Sequence, residues 1–383
     1  MNAVVEGRGN KPAGPLDASV LPTGVRARMV EGVNGLDMHI LEAGAADRPC
    51  LLLLHGFPEL AFSWRGVMAP LAEAGFYIVA PDQRGFGRTT GWDGRYEGDV
   101  ASFRNLNLVE DLLSLLRALD VGQVEAVVGH DLGAAIAGYC ALTRPEVFAR
   151  VVMMSAPFTG APSPPYLGPA ALDAALAALS PPRKHYTHYY SGAAADAEMG
   201  GAPQGLHDFL RAYFHVKSGD WAGNAPYPLA ARTAEELAKL PAYYVMAREA
   251  GMAETVRPFM PSPAEIAACA WMPEEAMAVF AAEYARTGFQ GGLQWYRVRT
   301  DPDHAAELAP LAGRQIEVPA WFIAGDRDWG IHQTPGALAA MRDKVCTRME
   351  GVHLIPGAGH WVQQENPHAV VRLLLDFLEP GRV

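Results

Sequence analysis

The chain has 383 residues, of which 50% are hydrophobic and 19% are charged, and its formal net charge is −11 at pH 7. This composition is typical of a soluble globular enzyme, and the length allows one large domain or two moderate ones. The acidic balance and the lack of a basic stripe argue against a nucleic-acid partner and against binding to an anionic membrane surface.

The chain begins with residues 1–22, which are rich in Gly, Pro and Ala and which we expect to form a loosely ordered extension. No apolar run follows a basic start, and no stretch is apolar over the length of a membrane span. We therefore expect neither a secretory signal nor a membrane segment. The four cysteines are scattered without paired spacing, which fits a reducing compartment, so we expect a cytoplasmic protein.

Short apolar runs then alternate with amphipathic segments. Buried strands are predicted at residues 50–54, 77–80, 124–129 and 151–155, each followed by turn residues. Between the second and third of these runs, leucines recur at the spacing of one helix face, at Leu108, Leu112, Leu115, Leu116 and Leu119. Such alternation predicts a mostly parallel sheet covered by helices on both faces.

The pattern changes after about residue 157. As far as residue 310 the chain is rich in Ala, Pro, Tyr and Met, with helical stretches and no series of strands. Strand-like runs return at 318–324 and 348–355, and a last helix is predicted over 366–378. We therefore predict an α/β core made of residues 23–157 and 311–383, interrupted by a helical cap domain over residues 158–310.

A sharp turn with a carboxylate at its centre follows the predicted strand 124–129. Residues 129–133, Gly-His-Asp-Leu-Gly, have the spacing of a strained turn that exposes a nucleophile, because a Cβ at either flanking position would clash with backbone. The central residue is Asp131 instead of a serine. A carboxylate is a poor catalyst of acyl transfer, but it can attack an electrophilic sp³ carbon and form an ester that water later cleaves. Asp131 thus favours epoxide opening or halide displacement over ester hydrolysis.

Three further segments have the order that such a nucleophile requires. A tight turn, His-Gly-Phe-Pro-Glu, follows the strand 50–54, and Gly-Asp-Arg-Asp at 325–328 follows another strand, where the acid of a triad would lie. Gly-His-Trp at 359–361 follows the last strand and offers His360 as a base. The chain order nucleophile, acid, base is that of the α/β-hydrolases.

Together these motifs resemble the epoxide hydrolase branch of the α/β-hydrolase fold family, whose soluble members share them. The matching segments, which span roughly residues 30–380, are 55–59, 82–87 (Asp-Gln-Arg-Gly-Phe-Gly), 129–133, 288–297 (Gly-Phe-Gln-Gly-Gly-Leu-Gln-Trp-Tyr-Arg) and 359–361. In this family one oxyanion-hole N–H comes from the loop after the strand at residues 50–54, and the other comes from the residue after the nucleophile. Here these N–H groups belong to Phe57 and Leu132.

The resemblance implies that Asp131 is the nucleophile and that His360, oriented by Asp328, is the base. The family spacing favours Asp328 over Asp326, which would then cap a turn or pair with Arg327. It also implies two cap tyrosines that hold and protonate the epoxide oxygen. Tyr296 matches the Trp-Tyr-Arg segment. The second aligns with Tyr186, although Tyr189 and Tyr190 are close competitors.

The chain departs from the family in two places. Leu132 stands where many relatives have Trp, and the cap, at roughly 150 residues, is longer than in small members. Neither a phosphate-binding glycine loop nor a cluster with metal spacing is found, so we expect no cofactor and no metal. The expected partners are a small apolar epoxide and water, and the oligomeric state stays open, a homodimer included.

Two other functions compete with epoxide opening. A dehalogenase would use the same Asp-His-Asp set, but it needs a halide cradle of Trp or Asn donors, and Leu132 offers no indole N–H. A non-catalytic ligand receptor can keep this fold after losing its nucleophile or base. The set looks complete here, which weighs against a receptor. His130, His185 and His188 are predicted to be structural or to line the pocket, and Asp82 and Arg84 to brace a loop below it.

Overall fold

The computed structural model describes residues 13–98, 100–162, 170–299 and 301–378. Its centre is an eight-stranded sheet with the order β1-β2-β4-β3-β5-β6-β9-β10. Strands β1 and β2 pair antiparallel, as do β2 and β4, and the other pairs are parallel. The strands of this sheet are β1 Val25–Val33, β2 Leu36–Ala43, β3 Cys50–Leu54, β4 Tyr77–Pro81, β5 Val124–His130, β6 Val151–Met154, β9 Ala320–Gly325 and β10 Met349–Ile355. A separate antiparallel ribbon joins β7 Arg183–His185 to β8 Val245–Ala247.

The helices fall into two groups along the chain. Those that precede β6 or follow β9 are α1 Arg65–Glu73, α2 Asn105–Ala118, α3 Leu132–Thr143, α14 Ala337–Ala340, α15 Val362–Glu365 and α16 Pro367–Leu378. Those between β6 and β9 are α4 Ala170–Ala177, α5 Tyr186–Tyr190, α6 Ala195–Gly200, α7 Leu206–Lys217, α8 Ala234–Leu237, α9 Met252–Val256, α10 Pro263–Ala268, α11 Glu274–Thr287, α12 Gln290–Arg299 and α13 Pro302–Leu308. A helix able to span a bilayer is not found among the described residues.

The apolar runs that predicted strands form the middle of this sheet. Every residue of β3 and of β4 is buried, as expected for strands covered by helices on both faces. The leucine stripe on α2 faces the core, where Leu108, Leu112, Leu115 and Leu116 are buried. The predicted α/β-hydrolase architecture, a mostly parallel sheet flanked by helices, is confirmed.

The two strands before β3 do not stand out in the sequence. In β1, charged and apolar side chains mix, and Arg26 and Arg28 point outward to bind Glu42 of β2 at 2.8 and 3.1 Å. This half-exposed antiparallel pair extends the parallel sheet at one edge. Its first strand has no continuous apolar run, because only part of its surface packs against the core.

Between β6 and β9 the chain leaves the sheet, forms α4–α13 and the β7–β8 ribbon, and then returns to the same sheet. The segment is mostly helical, as predicted, but the ribbon is a β element that the sequence did not indicate. The division into a core of 23–157 and 311–383 and a cap of 158–310 stays a prediction.

Within the predicted N-terminal extension, residues 13–22 make more contact with the core than a loosely ordered segment would. Leu16 donates its backbone N–H to His39 at 3.2 Å, and Arg88 donates to the carbonyl oxygens of Gly14 and Pro15 at 2.8 and 3.1 Å. Residues 1–12 lie outside the described residues.

Candidate active site

Asp131 lies at the turn between β5 and α3, in a backbone conformation that L-residues rarely adopt, with φ 53° and ψ −116°. The neighbouring glycines explain how the turn closes. A Cβ on Gly129 would lie 2.1 Å from the carbonyl oxygen of Gly133, and one on Gly133 would lie 2.3 Å from that of Leu54. The strained turn therefore presents the Asp131 carboxylate at the carboxyl edge of the parallel strands, the usual place for a site in this architecture.

Two groups approach the Asp131 carboxylate from opposite sides. The backbone N–H of Phe57 donates to Oδ1 at 3.1 Å, and the imidazole Nε2 of His360 lies 3.5 Å from Oδ2. The latter is an ion-pair distance and not a well-directed hydrogen bond, and Nε2 has no hydrogen-bond partner within the described part of the chain. Leu132, the second predicted oxyanion-hole residue, is the first residue of α3 and lines the same cavity as Asp131.

His360 is oriented by Asp328 on its other side. Its Nδ1 lies 3.1 and 3.2 Å from the two carboxylate oxygens of Asp328, which also accepts the backbone N–H of Gly330 at 2.6 Å. Asp326 points away, because its Oδ1 accepts the N–H of Gly357 in the turn before His360. The geometry therefore brings together Asp131, His360 and Asp328, and it gives Asp326 a turn-capping bond.

The charges of this group are mutually dependent. Burial would raise the pKa of Asp131, but the close imidazole of His360 and the positive charge of Lys217 outweigh it and hold this pKa well below its usual range. The pKa of Asp328 is lowered in the same way by His360, against burial. Burial and Lys217 lower the pKa of His360, but the two carboxylates prevail and raise it to about 9. These shifts favour ionised carboxylates and a protonated His360 in the free protein at neutral pH.

Two of the predicted cap tyrosines lie together near the nucleophile: Tyr186 lines the cavity that contains Asp131, and the ring centre of Tyr296 is 5.5 Å from that of Phe57. The rings of Tyr186 and Tyr296 are 5.9 Å apart at an angle of 76°, and both side chains are buried. Burial and, after it, the negative charge of Asp131 raise the pKa of both phenols, so both stay protonated at neutral pH. Neutral phenols beside a carboxylate are potential proton donors.

The competing tyrosines of α5 lie in other surroundings, although the ring centre of Tyr190 is also 4.9 Å from that of Tyr296. The ring of Tyr189 lies under the Nζ of Lys184, on a surface shared with Glu198 and Arg248. Tyr190 packs against Phe57 and donates its hydroxyl hydrogen to the Tyr213 hydroxyl at 3.1 Å. Of the three, Tyr186 alone lines the cavity that contains Asp131.

This cavity has a volume of about 210 Å³. Its wall mixes apolar with polar side chains, among which are Asn105, Arg299, Gln333 and Thr334. Polar groups therefore also face the space beside the nucleophile, and the preference for a small apolar epoxide stays a prediction. Within the described residues no group of three or more His, Cys, Asp or Glu side chains could hold a metal ion.

A buried polar chain behind the triad was not predicted. Glu59 is fully buried and binds Nδ1 of His130 at 2.5 Å, and Nε2 of His130 lies 2.7 Å from the carbonyl oxygen of His360. Gln363 and Gln364 donate to the other oxygen of Glu59 at 2.8 and 3.1 Å. These hydrogen bonds thus link His130, the residue before the nucleophile, to the backbone of His360, the predicted base. The only sign of these hydrogen bonds in the sequence was that Glu59 and His130 both belong to recognised motifs.

The two residues predicted to brace a loop do so with separate partners. Asp82 binds His39 at 2.8 Å and accepts the N–H groups of Ala61 and Arg88 at 2.8 and 3.0 Å. Arg84 instead forms a paired contact with Asp111, at 2.6 and 2.8 Å. The close sequence spacing of Asp82 and Arg84 therefore does not reflect a bond between them.

The chain is similar to known proteins over most of its length. A family profile for the alpha/beta hydrolase fold matches residues 49–181. The chain is 33% identical over 357 residues to epoxide hydrolase A of Mycobacterium tuberculosis, covering 92% of this chain and 96% of that protein. It is 30% identical to epoxide hydrolase 2 of Siraitia grosvenorii, with coverage of 90% and 96%.

Solved structures give the same result. A variant of potato epoxide hydrolase superposes with a TM-score of 0.73 at 31% identity, covering 92% of this chain and 99% of that one. Epoxide hydrolase A of Mycobacterium thermoresistibile also has a TM-score of 0.73, at 30% identity, with coverage of 93% and 98%.

Proposed function

Because the chain belongs to the epoxide hydrolase family of the α/β-hydrolase fold, we propose that it opens an epoxide to a vicinal diol through an ester on Asp131. The observation that carries this mechanism is an ionised carboxylate in the strained turn, held between the N–H of Phe57 and the imidazole of His360. A serine at this position would favour acyl transfer, whereas a carboxylate suits displacement at carbon.

In the first step, a carboxylate oxygen of Asp131 attacks one epoxide carbon, and the bond from that carbon to the ring oxygen breaks. Tyr186 and Tyr296 hydrogen-bond this oxygen, and one of them gives it a proton as negative charge develops. Both phenols are neutral in the free protein because burial and the charge of Asp131 oppose their ionisation. The products of this step are a hydroxyalkyl ester on Asp131 and a phenolate, which takes the proton of the His360 imidazolium, so that the phenol is restored and the imidazole is neutral for the second step.

In the second step, His360 takes a proton from water, and the hydroxide attacks the ester carbonyl of Asp131. Asp328 holds the imidazole through Nδ1, so that Nε2 faces the nucleophile. The N–H of Phe57 already donates to Oδ1, and we assign the second oxyanion donor to the N–H of Leu132. Collapse of the tetrahedral intermediate releases the diol and restores the carboxylate.

The covalent intermediate is tested by intact mass spectrometry of His360→Gln mixed with an epoxide. An adduct of one substrate mass should accumulate on the peptide that contains Asp131, because ester hydrolysis loses its base. His188→Gln, which changes an exposed histidine of the cap, is the matched control and should show no accumulation. No adduct in His360→Gln, with substrate binding confirmed, would count against covalent catalysis.

The source of oxygen gives a second test. In a single turnover in ¹⁸O-labelled water, the first diol should contain oxygen from Asp131 and no label. A first diol labelled at full stoichiometry would favour direct attack by water.

Dehalogenation and ligand reception remain the alternatives. The nucleophile is followed by Leu132, which offers no side-chain donor to a halide. Halide release from chloroalkanes and bromoalkanes, measured beside diol formation, separates the first alternative. Binding without turnover across the same compounds would support a receptor.

The substrate range and the assembly stay predictions. A panel of aliphatic, aryl and terpenoid epoxides, extended to epoxides with a carboxylate because Arg299 lines the cavity, tests the expected preference for small apolar substrates. Analytical ultracentrifugation tests the homodimer, and cell fractionation tests the cytoplasmic location.

A further inference from the structure

Lys217 is a buried cation next to the triad, and the two steps described above do not use it. It is the last residue of α7, and only 4% of it is exposed. Resting on the function proposed above, we propose that Lys217 is a positioning residue that lets His360 act as a base once Asp131 has become an ester.

The surroundings of Lys217 tie it to His360 in two ways. Its carbonyl oxygen accepts the backbone N–H of His360 at 2.9 Å, which fixes the loop that carries the base. Its Nζ lies 5.1 Å from the ring centre of Trp361, the residue after His360, and 5.2 Å from those of Tyr213 and Tyr244. Three aromatic rings therefore hold an ammonium group at the edge of the catalytic set.

The charge of Lys217 is not neutralised by one partner. No carboxylate among the described residues lies within ion-pair distance of its Nζ, so its field extends to Asp131, Asp328 and Glu59 together. Burial lowers the pKa of the Lys217 ammonium, and these three carboxylates oppose that effect. A buried lysine without a direct ion pair is rare, because an unpaired charge is costly to bury.

The charge balance around His360 changes during the reaction. In the free protein, Asp131 and Asp328 carry two negative charges against Lys217 and a protonated His360. Esterification removes the charge of Asp131 and leaves Asp328 opposed by Lys217. The imidazolium then has no net negative field to keep its proton, passes it to the phenolate left by the first step, and becomes the neutral base that ester hydrolysis requires.

Removing Lys217 should reverse this effect. Lys217 lowers the pKa of His360, and without it this effect would be lost. Asp328 alone would then stabilise the imidazolium in the ester intermediate. The fraction of neutral His360 falls tenfold for each unit by which its pKa exceeds the pH. Ester hydrolysis should therefore slow at low pH and recover at high pH, while alkylation, which needs no base, should change little.

Other ionisable groups also surround His360 and must be separated from Lys217. Asp131, Asp328 and His130 contact its side chain, Glu59 binds His130, Glu365 binds the backbone on either side of His360, and the phenols of Tyr186, Tyr213 and Tyr296 interact with the charge of Asp131. Burial raises the pKa of Glu365 to about 7, and this carboxylate accepts the N–H groups of Gly359 and Trp361. Glu365→Gln is therefore measured beside the lysine variant, so that its titration is not mistaken for that of His360.

The experiment follows both steps by stopped flow across pH 5.5–10 with styrene oxide, or with the panel epoxide that the wild type opens fastest. Lys217→Met should shift the midpoint of ester hydrolysis upward by about one pH unit and slow it about tenfold below that midpoint. Lys217→Arg should stay near the wild type. Lys184→Met is the matched control, since Lys184 lies 5.0 Å above the ring of Tyr189, away from the triad, and its profile should not move.

Three results would overturn the proposal: an unmoved midpoint in Lys217→Met, an equal slowing of both steps at every pH, or the same shift in Lys184→Met. Should Lys217→Met fail to fold, Lys217→Gln takes its place. An absence of any ester in the wild type would instead refute the proposed function.

A readout without substrate tests the same charge effect. In the free protein, ¹⁵N–¹H spectra of the histidine rings report the titration of His360, assigned by its loss in His360→Gln. The midpoint should rise in Lys217→Met and remain near that of the wild type in Lys217→Arg. An unchanged midpoint in Lys217→Met would refute the charge effect whatever the reaction is.

Discussion

Asp131 combines backbone strain with a charge that is almost removed from water. Its left-handed φ costs on the order of 1–3 kcal/mol. Its carboxylate stays ionised only because His360, Lys217 and the N–H of Phe57 compensate for lost hydration. Both costs serve one end, since a strained turn presents the carboxylate and a partly desolvated anion is a stronger nucleophile.

The acid of the triad gives the first prediction. Asp328→Asn should slow ester hydrolysis by about 10³-fold, because the imidazole would lose both its orientation and the charge that stabilises its protonated form. Asp326→Asn is the matched control, two residues away, and should keep most of its activity, since Asp326 binds only the turn at Gly357. Pre-steady-state kinetics of both variants would decide, and a larger loss in Asp326→Asn would mean that the wrong carboxylate was assigned.

The cap tyrosines give the second prediction. Tyr186→Phe and Tyr296→Phe should each slow alkylation about 10–100-fold, because one of two proton donors is lost, and hydrolysis of a preformed ester should change little. The double variant should be nearly inactive. Tyr189→Phe is the control, since that side chain faces Lys184 and Glu198. Stopped-flow tryptophan fluorescence would follow alkylation, and a loss confined to Tyr189→Phe would refute the assignment.

Single residues differ in how far the sequence determines them. The motifs indicated Asp131 and His360, because each follows a recognisable strand, whereas the choice of Asp328 over Asp326 rested on the spacing of the family that the chain resembles. They could not separate Tyr186 from Tyr189 and Tyr190, because all three lie in one short helix and its facing depends on the packing of the cap. The bond from Glu59 to His130 spans 71 positions and has no local pattern, so only the folded chain reveals it.

At the scale of elements, the close approach of the start of α3 to the end of β3 depends on the absence of a side chain at Gly133. Gly133→Ala should destabilise the protein by about 3 kcal/mol, because the added Cβ would lie 2.3 Å from the Leu54 carbonyl and backbone must move. Gly122→Ala is the control, since a Cβ there meets open space. Urea unfolding measures both variants, and equal free energies of unfolding would contradict the crowded turn.

The elements that the sequence predicted and those it missed differ in burial. Strands β3 to β6 are mainly apolar because helices cover both faces, and such a run is easy to recognise. Strand β1 carries charges that pair with Glu42 across the sheet, and β7 has three half-buried residues, Arg-Lys-His. These strands are defined by their hydrogen bonds to a neighbouring strand. A local sequence pattern does not contain that information.

At the scale of the whole molecule, the buried charges of the triad couple stability to pH. The folded-state pKa of His360, about 9, lies above its ordinary value of 6.5, so its stabilising contribution is complete below pH 6.5 and is lost as pH rises through 9. The free energy of unfolding of the wild type should exceed that of His360→Gln by about 2–3 kcal/mol more at pH 6 than at pH 9.5. Urea titrations at both values test this, with His188→Gln as control. A difference that is the same at both values would contradict the raised pKa.

The organisation of the molecule was predictable to the level of a sheet with an inserted helical segment. The strand-like runs in the sequence stop after β6 and return at β9. The chain likewise leaves the main sheet after β6 and rejoins it at β9. How the inserted helices pack was not predictable; α12, for example, is buried on several sides, so its sequence lacks one outward polar face.

Helix α12, which carries Tyr296, meets the loop after β4 without any side chain between them. A Cβ on Gly85 would lie 2.6 Å from the carbonyl oxygen of Gly291, and one on Gly291 would lie 2.0 Å from that of Gly85. Atomic radii set the spacing of two touching backbones, so side-chain repacking cannot adjust it. We therefore expect that insertions elsewhere between β6 and β9 can lengthen the cap and reshape the pocket while Tyr296 keeps its position. Substrate choice can then change during evolution while the proposed chemistry is retained.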